Sequence, residues 1–384
     1  MQGIHKKKVG NYKRILLVAF VAFCLLTTVR IESPLASFKG TCSDCHTMHN
    51  SQDGGAMTFE DLDTPNEYLL QGTCYGCHAM NQNSSTYDLS SDVIPQVLHT
   101  DFAKDLAGGN FGYIVPNVDN RGHNISDLPG ISTDDDLFDP PGLIGFAHMG
   151  RVNTNTLTCA GKTGCHGYRN PDPPLPDGVK GAHHSNIDGK LDLADEPGNS
   201  YRFLMGVKGY EDSDWELTKS ESDHNEYFGL TEPIKLNTCD GTNGCHSSAG
   251  IRPPDGTMSQ FCATCHGNFH TLGFGGEGED GIGTTATSPF IRHPTDLALP
   301  DDDGEYTFYT TYDPQVPVAR TIVPDNSSQD VAPLIDVVMC LSCHRAHASE
   351  YPDMLRWDYT KIIAASGDDT EGGCFVCHTT KDDP

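Results

Sequence analysis

Residues 340–347 read Cys340-Leu341-Ser342-Cys343-His344-Arg345-Ala346-His347. Two cysteines separated by two residues and followed at once by histidine form the attachment signature of c-type haem. The thiols become thioethers on the vinyl groups, and the histidine reaches the iron from one face. The pattern recurs at Cys42/Cys45-His46, Cys74/Cys77-His78, Cys262/Cys265-His266 and Cys374/Cys377-His378. Two more units place five residues between the cysteines: Cys159 and Cys165 before His166, and Cys239 and Cys245 before His246. Seven units use fourteen of the fifteen cysteines. One such motif arises by chance, whereas seven predict seven covalently bound c-type haems.

The two longer loops also admit a simpler reading, two disulfides each followed by an incidental histidine. Three features oppose it. Histidine follows the second cysteine directly in both. The loops Cys-Ala-Gly-Lys-Thr-Gly-Cys-His-Gly and Cys-Asp-Gly-Thr-Asn-Gly-Cys-His-Ser resemble each other. Two glycines in each let the extra backbone bulge while the cysteines keep their places. A zinc site fits less well, because separate ligand pairs are missing.

Only 36% of the 384 residues are apolar, and 64 are glycine or proline. A protein-only core of that composition is thin. Haems, each a flat apolar body tied at three points, act as core and staple together. The motifs begin at 42, 74, 159, 239, 262, 340 and 374, in close pairs near 42–78, 239–266 and 340–378 with 159–166 alone. About 50 residues per haem are too few for independent haem domains. The expected fold is therefore mostly irregular coil with short helices and few strands, a single extended chain wrapped around a stack of haems. Short helices are expected at the motifs, and one longer helix over 353–366 with Met354, Trp357, Ile362 and Ile363 as its apolar face.

Residues 1–37 read as a signal peptide and 38–384 as one heptahaem unit. Lys6, Lys7, Lys8, Lys13 and Arg14 precede an apolar run from Ile15 to Val29, short for a membrane span, and small residues follow at Ala36 and Ser37. Cys24, the unpaired cysteine, falls inside this run. Export is the expected destination, extracellular or cell-surface in the first place and periplasmic in the second. No membrane span is expected after the signal is removed. Residues 38–384 carry 19 basic and 52 acidic side chains, a net charge of −33. That balance excludes nucleic acid as a partner and favours cationic partners and salt-dependent self-association. Acidic runs such as 134–136 and 301–303 read as solvated loop charge rather than as a cation cage.

Seven histidines belong to the motifs: His46, His78, His166, His246, His266, His344 and His378. His5 lies in the signal. Ten remain, enough for a second imidazole at every iron. His49, His270 and His347 stand three or four residues after a motif histidine, on the same side of a helical turn. They cannot reach round the porphyrin, so any iron they bind belongs to a neighbouring haem. Methionine is the other common axial ligand; Met48, Met149 and Met205 are available but are not needed.

The segments Gly-His123-Asn, Gly-Ala-His183-His184, Asp-His224-Asn-Glu-Tyr, Phe-Cys-Ala-Thr-Cys-His-Gly-Asn-Phe-His270 and Ile-Arg-His293-Pro-Thr-Asp resemble the extracellular multihaem c-type cytochromes of metal-reducing bacteria, which include filament-forming members. The resemblance spans most of residues 40–380; the five-residue loops depart from the usual spacing. It implies bis-histidine haems and, as distal ligands, His49, His123, His184, His224, His270, His293 and His347. His99, His148 and His183 stand in reserve, His183 as an alternative to His184.

The function expected is electron transport through low-potential haems to extracellular acceptors, as a subunit that associates head to tail into a filament. Haem motifs near both chain ends would meet across such an interface, which propagates if it does not close. The alternative is a monomeric periplasmic or surface shuttle that docks other cytochromes. An enzyme, a multihaem reductase, is the remote reading: it needs an open metal position, and no Cys-x-x-Cys-Lys motif of the kind some such enzymes carry is present.

Overall fold

The computed structural model describes residues 40–381, apart from 61–63, 91, 115–118, 127, 132, 135–136, 138–139, 143–156, 170–174, 186–189, 192–195, 234–254, 271–280, 283–289, 302–303 and 366–372. The chain divides into two units, residues 1–35 and 36–384. The expected signal peptide lies outside the described residues, as do His148 and Met149. So does the whole of the second long-loop attachment unit, formed by Cys239, Cys245 and His246.

The described residues are mostly coil, punctuated by single turns of helix. Among the described residues the α-helices are α1 (Cys42–Cys45), α2 (Cys74–His78), α3 (Leu175–Gly178), α4 (Met258–Ala263), α5 (Cys340–Cys343) and α6 (Cys374–Cys377). Five of the six sit on Cys-x-x-Cys-His motifs. A turn closed by an i to i+4 hydrogen bond is the shortest structure that turns both thiols and the histidine toward one side. His46, His266, His344 and His378 donate their backbone N–H to the carbonyls of Cys42, Cys262, Cys340 and Cys374 at 2.9, 2.9, 3.0 and 2.9 Å. Thr73 caps α2 by accepting from Gly76 N–H, and Thr257 caps α4 by accepting from Gln260 N–H.

Three two-stranded ribbons pair β1 (Ser51–Gln52) with β2 (Gly55–Ala56), β3 (Thr86–Leu89) with β4 (Asp92–Pro95), and β5 (Thr158–Ala160) with β6 (Gly164–His166). The largest sheet has six strands of two or three residues, in the order β10 (Leu297–Ala298), β12 (Asp336–Val338), β11 (Ala319–Arg320), β9 (Glu226–Phe228), β8 (Gly209–Tyr210) and β7 (Lys190–Leu191). Within it only β11 and β9 run parallel. Tyr227, Ala319 and Val337 from its central strands bury against Met258 and Phe261 of α4 and Leu341 of α5. The sheet thus fixes two motif helices against each other. A second apolar cluster gathers Ala79, Leu98, Phe111, Ile114, Ile125 and Ala348, and a third centres on Tyr309, Tyr312 and Val318.

Arg320 on β11 is buried among carboxylates. Its Nε donates to Glu226 at 2.5 Å and its Nη1 to both Asp336 oxygens at 3.1 Å. A charge with so little access to water persists only when fully paired, and this pairing ties β9, β11 and β12 together.

The helix expected over 353–366 does not form. Short 3₁₀ turns at Pro352–Met354 and Tyr359–Lys361 stand there instead. Asp353 and Met354 both adopt φ of 58°, which no α-helix continues through. The site explains why: the Asp353 carbonyl turns away from the chain to receive His344.

Candidate haem-ligand sites

Each described motif histidine spends its Nδ1–H on a fixed acceptor. His46 donates to the Tyr68 carbonyl at 2.9 Å, His78 to Pro95 at 2.9 Å, His166 to Arg202 at 2.8 Å, His266 to Pro141 at 2.7 Å and His344 to Asp353 at 2.7 Å. His378 donates to the Glu305 carboxylate. An imidazole whose Nδ1 carries the proton presents Nε2 as a lone pair, the arrangement a metal-binding histidine requires.

Three of these acceptors share a backbone device that the sequence did not reveal. Tyr68-Leu69, Arg202-Phe203 and Asp353-Met354 are pairs of successive left-handed residues, with φ between 48° and 58°, and leucine follows each pair. The carbonyl of the first residue is the one that accepts from histidine. Left-handed non-glycine residues cost on the order of 1–3 kcal/mol each and persist where the surroundings hold them. Bridges between His46 and Leu70 and between His344 and Leu355 supply part of that hold. Trp215-Glu216, ahead of Leu217, repeats the conformation with φ of 59° and 63°.

The structure brings five imidazole pairs near one another, at interplanar angles from 14° to 87°. Ring centroids are 6.2 Å apart for His46 and His184, 6.3 Å for His78 and His183, 6.3 Å for His166 and His347, 6.1 Å for His266 and His123, and 6.3 Å for His378 and His293. These separations are too long for stacking. Two metal–nitrogen bonds of about 2 Å each plus two ring radii would span such a distance. Among the distal rings, His123 is fixed by its own Nδ1–H to the Ala346 carbonyl at 2.7 Å, and His293 by Pro294 at 2.9 Å. Burial first, then the facing His166, pushes His347 down to about 3; burial, then His266, pushes His123 down to about 4. Both are neutral, as metal ligands must be.

His183 and His184 both find partners, where the sequence reading treated them as alternatives. They lie in a 3₁₀ turn, Ala182–His184, that starts after left-handed Gly181. Successive side chains of a three-residue turn point about 120° apart, so one turn serves two motif histidines.

Other expected distal ligands are placed elsewhere. The buried His224 uses both ring nitrogens, Nδ1 on the Ser220 carbonyl at 3.0 Å and Nε2 on Glu226 at 3.2 Å, and stacks on Tyr312 at 3.5 Å. Through Glu226 it joins the Arg320 network. His270 commits Nε2 to buried Asp296 at 2.8 Å. His99 is buried beside Asn110, with Nδ1 3.3 Å from the amide nitrogen. His49 is exposed. Met48 is 77% exposed. His344 faces no second imidazole among the described residues.

The thiols form a series. Electrostatic or hydrogen-bond proximity links Cys45 with Cys77, Cys74 with Cys159, Cys165 with Cys265, Cys262 with Cys340, and Cys343 with Cys374. The six described motifs therefore follow one another in space, each next to the next. Cys239 and Cys245, with His246 after them, lie outside the described residues and so outside this series. Burial pushes the Cys77, Cys343 and Cys377 thiols up to about 12, which places these sulfurs in apolar surroundings. Cys159 and Cys165 do not form a disulfide. Their loop is built as the sequence suggested: Gly161 has φ of +92°, and a Cβ on Gly164 would lie 2.4 Å from the Ala160 backbone. Paired sulfurs followed by an Nε2-presenting histidine, with a second imidazole near five of the six described motif histidines, are a donor set that covalently attached haem would fit.

Residues 333–383 match the family model for a doubled CXXCH motif. The chain is 26% identical over 376 residues to the C-type cytochrome OmcS of Geobacter sulfurreducens, covering 86% of this chain and 82% of the relative. The chain resembles the c-type cytochromes. A solved filament of outer membrane cytochrome S from Geobacter sulfurreducens is 21% identical, with 88% of each chain covered and a TM-score of 0.42. A structure of OmcS nanowires from the same organism is 19% identical, with 92% of each chain covered and a TM-score of 0.42. No helix among the described residues is long and apolar enough to cross a membrane.

Proposed function

We propose that this chain is an exported heptahaem cytochrome that carries electrons along a series of bis-histidine haems and assembles head to tail. The five imidazole pairs, strung along one series of adjacent thiols, carry the reading. The six described motifs account for six of the haems, and Cys239, Cys245 and His246 would hold the seventh. A haem held by two imidazoles supplies one-electron exchange at iron and leaves no position for a substrate. The protein's part is to fix the ligands. The pairs His46–His184, His78–His183, His166–His347, His266–His123 and His378–His293 would close both faces; backbone carbonyls hold the tautomers of His46, His78, His123, His166, His266 and His293, and the Glu305 carboxylate that of His378. Two neutral imidazoles in an acidic chain favour the ferric state and so low potentials.

Assembly is supported by what the described pairs leave over. His344 presents an imidazole with no facing ring among the described residues, while His49 is a solvent-exposed histidine beside the first motif. A left-over ligand near one end and a left-over site near the other are complementary between copies, and a heterologous contact of that kind propagates.

Intact mass of the exported protein is expected to exceed the polypeptide by seven haems. Replacing Cys159 and Cys165 by serine should remove one of them, and so should replacing Cys239 and Cys245; an unchanged haem count would show that the loop concerned is not an attachment site. Negative-stain microscopy of the secreted protein at physiological salt is expected to show filaments, and dispersed single particles would leave the monomeric shuttle as the function.

A further inference from the structure

Among the six described motif histidines, five place Nδ1–H on a neutral backbone carbonyl and one, His378, places it on a carboxylate. Glu305 is held for that task. Its own carbonyl receives the Thr379 N–H at 2.7 Å and the Thr379 hydroxyl at 2.8 Å, which clamps the two segments together directly after His378. Lys381 Nζ stands 3.6 Å from the same carboxylate oxygen, and the Tyr306 ring lies 5.2 Å from the His378 ring.

We propose that Glu305 is a positioning residue that lowers the potential of the haem bound at Cys374, Cys377 and His378, a role that rests on the haem reading above. A full negative charge on the acceptor of Nδ1–H makes the imidazole a stronger donor through Nε2, and it stabilises the ferric over the ferrous state more than a carbonyl dipole does. Lys381 opposes the carboxylate, more weakly because its ammonium is largely in solvent. The Cys374–His378 motif is the last in the spatial series of thiols. Glu305 therefore gives the array a polarity, with one end harder to reduce than the same ligands would make it with a carbonyl acceptor.

The test is a spectroelectrochemical titration of the full-length haem-loaded chain. In Glu305→Gln, where the amide oxygen still accepts but carries no charge, one haem's share of the absorbance change is expected to move to higher potential, by at least tenfold in its reduction equilibrium, or about 59 mV for one electron. In Lys381→Met the same share should move the opposite way. Curves that superimpose on the parent for both variants, with the full haem mass retained, would overturn the proposal. So would shifts of the same sign in both, which indicate a general disturbance. Peptide mass analysis separates the two levels: Cys374 and Cys377 found without haem in the parent chain would remove the underlying reading instead.

Discussion

Replacing His347 with alanine is expected to give the reduced protein one more equivalent of bound carbon monoxide than the parent chain takes. The ferric form should gain one haem's share of high-spin absorption. His347 faces His166 at 6.3 Å, and no other described imidazole is within ring contact of His166. It is also held closely: its N–H donates to the Gly108 carbonyl at 2.7 Å, its ring stacks on Phe111 at 5.0 Å, and a Cβ on Gly108 would come within 3.0 Å of it. No other described ring is in contact with His166, so the truncated chain is expected to leave one iron position to exogenous ligand.

His224→Ala is the matched control. Both ring nitrogens of His224 are committed to protein groups, so carbon monoxide binding and spin state should not change. Stability should fall by about 1–3 kcal/mol, because buried Glu226 loses a hydrogen-bond partner, and Tyr312 loses its stacked ring. Chemical denaturation followed by far-UV circular dichroism measures that loss. An extra carbon monoxide site in His224→Ala, with none in His347→Ala, would reverse the two assignments and restore His224 as a ligand.

The motif turns were legible in the sequence because they are local. A Cys-x-x-Cys-His unit has one compact conformation that aims three side chains at one object, and five of the six described α-helices occupy such units. The predominance of coil was legible for a related reason: with 64 glycines and prolines and few periodic apolar segments, no long element had a face to bury. The distal partners were not, because pairing is set by contacts between remote segments. His347 follows its own motif histidine by three residues yet faces His166, and His123 is fixed by a carbonyl 223 residues away. Histidine count bounded the number of ligands but did not distinguish His224, whose value lies in a hydrogen-bond network built from β9 and β11. The helix expected over 353–366 failed for a third reason. Apolar spacing there was real, and Trp357 is buried, but the backbone is diverted to bring a carbonyl to His344. Propensity loses where a ligand's hydrogen bond fixes the chain.

Replacing His49 with alanine is expected to abolish filaments while leaving the five intrachain imidazole pairs intact. The two left-over groups differ in a way that fixes the direction of the argument. His344 is partly buried, its Nδ1 already committed to Asp353, and it follows a helix packed into the sheet core, so it is a rigid half-site. His49 is exposed and stands next to Met48, which is 77% exposed and apolar, so it is a projecting group. A projecting imidazole from one copy fits a half-site on the next without rearranging either. If each copy donates His49 to the next in one direction only, the contact is heterologous and extends rather than closing into a two-fold dimer. His49→Ala should therefore remain as single particles in negative stain with an unchanged haem mass, and its reduced form should take up one additional equivalent of carbon monoxide relative to assembled parent. Raising the ionic strength separates this bond from surface charge: a chain carrying a net −33 over residues 38–384 repels its copies less in salt. Parent filaments should then persist or lengthen, whereas His49→Ala should stay dispersed. Filaments from His49→Ala that match the parent in length would show that the interface forms without this histidine, and the half-site at His344 would then have to be closed from within its own chain.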